Sequence, residues 1–165
     1  MIIRKAELKD LESLLHIYNY EIINGTATFD IFPKSIEEWN IWYLSHNTSH
    51  HPLYVAELDG QQIGGFVSLS SYRSKEAYKN TVELSLYVSP EYRQHGIATQ
   101  LMDFIIRLAR EESQIHTIVS VITSNNKISI MLHQKFGFQY CGTLREIGFK
   151  MGEYLNVDNY QLIVH

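Results

Sequence analysis

The sequence predicts an α/β fold in which a mixed central β-sheet is flanked by helices. Segments whose apolar residues alternate at the two-residue period of a strand are interspersed with segments at the helical period. In chain order they give β-α-α-β-β-β-α-β-α-β-β, with a strand–turn–helix unit at the centre. Elements that alternate in this way pack as layers around one core.

The size and composition indicate one soluble domain spanning residues 1–165. Hydrophobic residues make up 45% and charged residues 19%, which suits a globular core. The net charge of -4 argues against a nucleic-acid partner. No apolar stretch approaches the ~18 residues of a membrane span, and the N-terminus has no signal-peptide pattern. The single cysteine, Cys141, suits a reducing compartment, so we expect a cytoplasmic protein.

The first half of the chain supplies three strands and two helices. IIRKA is a short strand, and the helix after it should end at the Asn-Gly pair of residues 24–25. Ser35 and Glu38 form a capping-box pattern, so a second helix begins there. LYVAEL and QQIGGFVSLS are strands joined by the Asp-Gly pair at residues 59–60. The apolar face of the first helix comprises Leu11, Leu14, Leu15, Tyr18 and Ile22.

The second half begins with TVELSLYV, the clearest strand. Its Glu83, Ser85 and Tyr87 alternate with apolar residues and therefore point to the opposite face. A long amphipathic helix follows Gly96. HTIVSVIT is a strand rich in β-branched residues, and NNKISIMLHQKF is a shorter helix closed by Gly137. FQYCGTLREIGFK and NYQLIVH are the final strands.

The turn between TVELSLYV and the long helix is a candidate anion site. The N-terminus of a helix leaves backbone N–H groups unpaired and carries partial positive charge. Gly96 has no Cβ to block an anion, Ala98 is small, and Arg93 adds a positive charge. A diphosphate would fit such a turn, although a glycine before a helix also occurs in tight turns that bind nothing. The pattern is neither a P-loop nor a dinucleotide fingerprint.

The same turn carries a resemblance to a known family. VSPEYRQHGIATQLM resembles the acyl-CoA-binding motif R/Q-x-x-G-x-G/A of the GNAT acetyltransferase superfamily, and NNKISIMLHQKFGF resembles the motif that follows it. NGTATFD, AYKNTVELSLYVSPEYR, LHQKFGF and GTLREIGFKMGEYLNVD resemble its phosphinothricin acetyltransferase branch, which includes enzymes for methionine sulfoximine and methionine sulfone. The resemblance covers essentially the whole chain. The matched acyl-CoA motif consists of Arg93, Gln94, His95, Gly96, Ile97 and Ala98.

The resemblance implies acetyl-CoA as co-substrate, held where the parallel strands TVELSLYV and HTIVSVIT splay apart. The backbone groups of Leu86, Tyr87 and Val88 would pair with the pantetheine arm, as in strand addition. The diphosphate would lie on the N–H groups of residues 93–98. Asn125 and Ser129 match positions that commonly reach the pantetheine or the adenosine.

The resemblance also supplies two catalytic candidates. Glu83 matches a glutamate assigned as general base, and a carboxylate within an apolar strand is costly unless it has a role or a partner. A glutamate that faces solvent opposite a buried face is the alternative. His133 stands where many superfamily members have a tyrosine that protonates the leaving thiolate. It is expected to donate a proton or to orient Glu83 or water, unless it is a packed histidine at the helix end.

Four residues are candidates for contact with the acceptor, and each is equally compatible with an ordinary surface or core role. Arg73 offers a guanidinium to an amino-acid carboxylate. Phe29 and Tyr78 would wall the pocket, and Lys150 matches the branch. The chemistry needs neither a metal nor a covalent intermediate. The histidines of the HNTSHH loop, His46, His50 and His51, are expected to be solvated, and Cys141 to be packed.

The resulting function is an N-acetyltransferase for the α-amine of a small amino acid or analogue. Two alternatives stay open: another amine acceptor, such as a polyamine, an aminoglycoside or a protein N-terminus, and a non-catalytic acyl-CoA sensor. The branch implies a homodimer. Trp39 and Trp42 in the second helix are possible interface residues, although a core location explains them as well.

Overall fold

The computed structural model describes residues 1–48 and 50–165, which contain seven strands and four α-helices in the predicted order. The strands are β1 (Ile2–Lys5), β2 (Leu53–Glu57), β3 (Ile63–Ser71), β4 (Thr81–Val88), β5 (Thr117–Thr123), β6 (Gln139–Lys150) and β7 (Glu153–Ile163). The helices are α1 (Leu11–Asn24), α2 (Ile36–Leu44), α3 (Ile97–Glu111) and α4 (Lys127–Lys135).

The strands form one mixed sheet in the order β1-β2-β3-β4-β5-β7-β6. The β4–β5 pair is parallel, and its register runs only from Thr81–Thr117 to Glu83–Val119. Beyond Glu83 the two strands separate, while β4 stays paired with β3 as far as Val88. The expected fold, a mixed sheet with splayed central parallel strands, is therefore confirmed.

Helices cover both faces of the sheet. On one face, α3 buries Leu101 in the same cluster as Val82 of β4. On the other face, α1 and α2 bury Leu14 and Trp39 with Phe66 of β3. Because strand residues alternate between faces, the side chains of β4 divide between these two clusters.

Local signals set most of the element boundaries. Helix α2 starts with the predicted capping box: the Ser35 hydroxyl accepts from Glu38 N at 3.2 Å, and the Glu38 carboxylate accepts from Ser35 N at 2.8 Å. Helix α1 ends at the predicted place, but Gly25 is extended (φ -146°) and forms no left-handed cap. Strand β7 begins at Glu153 and not at Asn159.

The hairpin between β6 and β7 explains the longer last strand. Its two turn residues, Met151 and Gly152, have φ of 53° and 82°, which matches the twist of a tight hairpin. Register in this hairpin shifts between Leu144 and Gly148. The long-range pairing of β7 with β5 then extends the strand through NVD, a segment without a strong strand signal of its own.

Two predictions about packing are wrong. His46 is buried, and its ring bonds to Trp42 O and to the Ser70 hydroxyl, so this part of the HNTSHH loop is not solvated. Cys141 is exposed because β6 is an edge strand whose residues mostly face solvent. Residue 49 of the same loop lies outside the described part of the chain.

The aromatic residues of α2 belong to the core. Trp39 is 4% exposed and stacks on Tyr18 and on Trp42, with ring centroids 4.5 and 4.3 Å apart. The core explanation for Trp39 is therefore confirmed. The homodimer and the single-domain organisation stay predictions.

Membrane-spanning helices and metal-binding clusters are both absent from the described residues. Over residues 1–48 and 50–165, no helix has the length and apolar character needed to cross a membrane. In the same residues, no three or more His, Cys, Asp or Glu side chains are grouped so as to hold a metal ion.

Candidate active site

A cleft of about 950 Å³ opens where β4 and β5 separate. The β4 edge that faces β5 has no strand partner beyond Glu83 among the described residues, so its N–H and C=O groups are free to pair with an extended ligand. The cleft is lined by β4 from Glu83 to Val88, by β5 residues 120–123, by the turn before α3, by one side of α4 and by loop residues 27–29.

The turn before α3 exposes backbone N–H groups at one end of the cleft. Gly96 is the N-cap and has φ 78°, a left-handed conformation that glycine adopts without strain. A Cβ at Gly96 would meet only the Gln100 amide, at 3.9 Å, so backbone conformation and not crowding calls for glycine. Within residues 1–48 and 50–165, no side chain caps this helix N-terminus, which leaves its N–H groups available to an anion.

The Arg93 side chain pairs with a carboxylate of the protein, whereas its charge alone suggested contact with an anion at the turn. Its guanidinium forms an ion pair with the Glu21 carboxylate and lies 5.7 Å from the ring centroid of Tyr20. Burial raises the pKa of Glu21, and the positive charges of Arg93 and Lys150 partly oppose that shift. Arg93 therefore neutralises a buried carboxylate beside the turn.

Glu83 lies at the point where the two strands part. It is the last β4 residue paired with β5, and its half-buried side chain lines the cleft. Burial raises the pKa of Glu83, and the positive charge of Arg73 partly opposes this rise. In residues 1–48 and 50–165, no side chain donates a hydrogen bond to its carboxylate. A carboxylate in this setting is a stronger base than an exposed one.

His133 faces the same cleft from α4 and is only 4% exposed. Its Nδ1 lies 2.7 Å from Ser129 O, so Nδ1 carries the proton and Nε2 has the lone pair. Burial lowers the pKa of His133, which favours this neutral form. Nε2 is buried and has no partner in the described residues, so the ring is arranged to accept a proton or hydrogen bond rather than to donate one.

The loop after α1 forms the opposite wall and is held from several sides. The Tyr18 hydroxyl donates to Asp30 at 2.7 Å and lies 2.8 Å from the Thr28 hydroxyl. Lys150 Nζ donates to Thr28 O at 2.7 Å, and Thr123 donates to Thr26 O. These bonds fix the loop across the cleft.

Phe29, at the end of this wall, depends on a glycine across from it. A Cβ at Gly148 of β6 would lie 2.3 Å from the Phe29 ring, closer than any real contact. Only glycine at position 148 therefore leaves room for the ring in the place where it lines the cleft.

A second, smaller crevice of about 240 Å³ adjoins the cleft on the face covered by α1 and α2. Tyr18, Ser85 and Tyr87 line both cavities. Its remaining walls are Asp30, Lys34, Glu38, Trp39, Trp42 and Phe66. The aromatic crevice thus shares a wall with the cleft, and that wall includes Ser85, two residues from Glu83 on the same face of β4.

The sequence places the chain in a known family. Residues 14–138 match the acetyltransferase (GNAT) family. The chain belongs to this family. Its members are acyltransferases, so the protein is an enzyme of that class.

Curated relatives cover nearly the full length of the chain. The phosphinothricin N-acetyltransferase of Streptomyces coelicolor is 36% identical over 96% of this chain and 94% of its own length. An L-methionine sulfoximine/L-methionine sulfone acetyltransferase of Pseudomonas aeruginosa is 32% identical over 97% of this chain and 92% of its own. The resemblance to this branch is therefore confirmed.

A solved structure agrees with the fold and names a ligand. The phosphinothricin acetyltransferase of Sinorhizobium meliloti, solved in complex with AcCoA, superposes with a TM-score of 0.92 at 30% identity. The match covers 98% of this chain and 87% of that one.

Most of the predicted site residues line the cleft between β4 and β5 of the present chain. The residues that line it are Phe29, Glu83, Leu86, Tyr87, Val88, Arg93, Gln94, Gly96, Ile97, Ala98, Ser129 and His133. His95 is exposed beside the cleft, with Nδ1 2.7 Å from Arg93 O. Asn125 lies outside the lining and accepts from Thr26 Oγ1 at 3.2 Å, whereas its neighbour Asn126 caps α4 and lines the cleft.

The predicted acceptor contacts are more dispersed. Arg73 and Tyr78 lie outside the lining, in a small cluster where the Arg73 guanidinium is 5.0 Å from the Tyr72 ring centroid. Lys150 is buried; its Nζ donates to Thr28 O, and its charge acts on Glu21 of the cleft. The pKa of Lys150 is lowered, chiefly by burial.

Sequence reasoning missed Glu21 and the hydroxyl groups of Tyr18 and Thr28. A signal for Glu21 existed: it follows Leu14 by seven residues and Tyr18 by three, so a carboxylate falls on the apolar face of α1. No comparable signal marks Thr28, because its position depends on where the loop crosses the cleft.

Proposed function

We propose that the protein transfers the acetyl group of acetyl-CoA to the α-amine of a small amino acid or analogue, with Glu83 as general base. The observation that best supports this proposal is the Glu83 carboxylate at the point where β4 and β5 part: it is half-buried and has no hydrogen-bond donor in the described part of the chain. The names of the relatives support acceptors of the phosphinothricin, methionine sulfoximine and methionine sulfone type.

The residues of the cleft fit acetyl-CoA, which supplies the acetyl group as a thioester. The volume of the cleft is at the upper end of the range for small-molecule sites. Its β4 edge, which has no strand partner beyond Glu83 in the described residues, offers backbone groups to an extended pantetheine arm. Leu86, Tyr87 and Val88 would provide those groups. The N–H groups beside Gly96 would hold the diphosphate, where no Cβ obstructs its approach.

The side chains of the cleft then position the two substrates and accept the proton of the amine. The walls hold the acceptor amine against the thioester, and such positioning lowers a reaction barrier by several kcal/mol. Glu83 takes the proton from the amine as its nitrogen bonds to the acetyl carbon and the C–S bond breaks, with CoA leaving as the thiolate. General-base catalysis of this kind adds about 10²–10⁴-fold. His133 Nε2 is unprotonated in the neutral ring and has no partner in the described residues, so it can accept a hydrogen bond from a molecule bound in the cleft.

The acceptor class is tested by thiol release from acetyl-CoA with phosphinothricin, methionine sulfoximine, methionine sulfone and a wider amine panel. We expect saturable turnover with one or more of the first three. Turnover only with polyamines, aminoglycosides or peptides would move the acceptor and keep the reaction class. Tight acetyl-CoA binding with no turnover on any amine would contradict the proposal and favour a sensor.

The position of Phe29 gives a prediction specific to the acceptor side. Gly148→Ala places a Cβ 2.3 Å from the Phe29 ring and must displace it. We expect the KM for the acceptor to rise several-fold while the KM for acetyl-CoA stays within about twofold, because misplaced walls impair orientation. Steady-state kinetics with each substrate varied in turn measures both constants.

Gly152→Ala is the matched control for that variant. Gly152 lies in the turn of the same hairpin at φ 82°, and a Cβ there meets no atom within 4 Å. It should cost stability through its strained backbone without changing the KM for the acceptor. Equal acceptor KM values in the two variants would show that Phe29 does not form part of the acceptor site.

A further inference from the structure

His46 is a buried histidine outside the cleft, and its hydrogen bonds define its tautomer. Nδ1 lies 2.8 Å from Trp42 O, a carbonyl that only accepts, so Nδ1 carries the proton. The ring stacks on Trp42 with centroids 4.3 Å apart, and burial lowers the pKa of His46. The ring is therefore neutral, fixed in place, and has its lone pair on Nε2.

That lone pair is directed at Ser70. Nε2 lies 2.9 Å from Ser70 Oγ, so the serine hydroxyl donates its single proton to the histidine. Ser70 is the cross-strand partner of Glu83 in the β3–β4 ladder. Side chains of such a pair point to the same face, with Cβ atoms roughly 4.5–5.5 Å apart. A freely rotating Ser70 hydroxyl would have the Glu83 carboxylate within reach.

We propose that His46 engages the Ser70 hydroxyl and thereby keeps it from donating to Glu83, so that the carboxylate remains a strong base. His46 and Ser70 are positioning residues, and this role rests on Glu83 being the base proposed above. A hydrogen bond donated to a carboxylate stabilises its charged form and weakens it as a base. The His46–Ser70 bond removes the donor that the β-ladder places nearest to Glu83.

The other groups around Glu83 are consistent with this arrangement. Arg73 is the charged side chain that acts on it, and it favours the ionised form. Tyr87 lies four residues further along β4, on the same face as Glu83. Burial raises the pKa of Tyr87, so it is neutral at pH 7. Glu21 and neutral His133 line the same cleft. Arg73 already favours the ionised form of Glu83. For Glu83 to remain a strong base, its carboxylate must therefore accept no further hydrogen bond from a neutral donor such as the Ser70 hydroxyl.

The test is a carboxyl ¹³C NMR titration of Glu83 in the full chain, labelled with ¹³C glutamate and assigned with Glu83→Gln. The variants are His46→Phe, which keeps a ring against Trp42 and removes the acceptor, Ser70→Ala, and the two combined. We expect His46→Phe to lower the Glu83 midpoint by about half to one pH unit. Ser70→Ala should leave the midpoint at its wild-type value, and the double variant should return to it.

Several results would overturn the proposal. An unchanged midpoint in His46→Phe would show that the freed hydroxyl does not reach Glu83. A raised midpoint in Ser70→Ala would show that the serine already donates to Glu83, and this variant decides the question even if His46→Phe does not fold. If the double variant keeps the lowered midpoint, the loss of His46 lowers the Glu83 pKa by a route that does not involve the Ser70 hydroxyl.

The titration needs no turnover, so its outcome is separable from that of the proposed function. If the enzyme is active, the acidic limb of its kcat/KM profile should shift with the NMR midpoint in each variant, while the KM for acetyl-CoA stays unchanged. Absence of turnover on every amine would contradict the proposed function and leave the hydrogen-bond result standing.

Discussion

Glu83→Gln is expected to lower kcat by about 10²–10⁴-fold, the usual contribution of a general base, with little change in the KM for acetyl-CoA. The glutamine keeps the size of the side chain and loses the proton acceptor. Because burial raises the pKa of Glu83, kcat/KM of the wild-type enzyme should rise with pH through a midpoint above that of an ordinary glutamate. The variant should lack this limb.

The same substitution is expected to stabilise the fold. A carboxyl whose pKa is raised in the folded state favours its protonated form there, so it destabilises the protein once the pH exceeds that pKa. Removing the charge should raise the free energy of unfolding at pH 8 by about 0.5–2 kcal/mol, the usual range for stabilising changes, and Tm should rise with it. At pH well below the ordinary glutamate pKa the difference should vanish. Thermal unfolding at both pH values measures it.

Glu12→Gln is the control for the Glu83 substitution. Glu12 is exposed in the first turn of α1, away from the cleft, and its variant should match the wild type in rate and pH profile. A Glu83→Gln enzyme whose kcat equals that of Glu12→Gln at every pH would show that another group, or solvent, accepts the proton.

Gly96→Ala is expected to raise the KM for acetyl-CoA by roughly 10–100-fold. Gly96 has φ 78°, and an alanine there costs about 1–2 kcal/mol in the left-handed region. The backbone relieves that strain by rotating, which redirects the N–H groups that would hold the diphosphate. The new Cβ also occupies the approach to them. Steady-state kinetics and direct acetyl-CoA titration both report this loss.

Gly60 provides a closely matched control for this effect. Gly60 has φ 76° in the turn between β2 and β3, and a Cβ there meets nothing within 4 Å. Gly60→Ala should lose about as much stability as Gly96→Ala and keep the wild-type KM for acetyl-CoA. Equal KM values in the two variants would mean that the turn before α3 does not bind the diphosphate.

The order of elements was predictable because its signals are local. The capping box at Ser35 and Glu38 marks a helix start within four residues, and the alternation in TVELSLYV marks a strand and its two faces. The beginning of β7 was not predictable in this way. Its first residues are ordered by pairing with distant strands, which overrides weak local preference.

In the candidate site, too, the residues with a local sequence signal were predictable, and the contacts between distant segments were not. Glu83 and Gly96 stand out in the sequence because a buried carboxylate and a helix-start glycine are unusual where they occur. The anchoring role of Lys150 depends on a backbone oxygen 122 positions earlier. The proton position on His133 likewise depends on the Ser129 carbonyl, and the Glu21–Arg93 pair on how α1 meets the turn. Such contacts arise only when the elements assemble.

The most direct test of the proposed reaction is to identify the product formed from [1-¹³C]acetyl-CoA and methionine sulfone, with the Glu83→Gln enzyme in parallel. A ¹³C amide carbonyl bonded to the α-nitrogen, formed in step with free thiol and at least 100-fold more slowly by the variant, is the predicted result. Labelled acetate with no amide, or equal rates of amide formation by the two enzymes, would contradict the proposed transfer to an amine with Glu83 as its base.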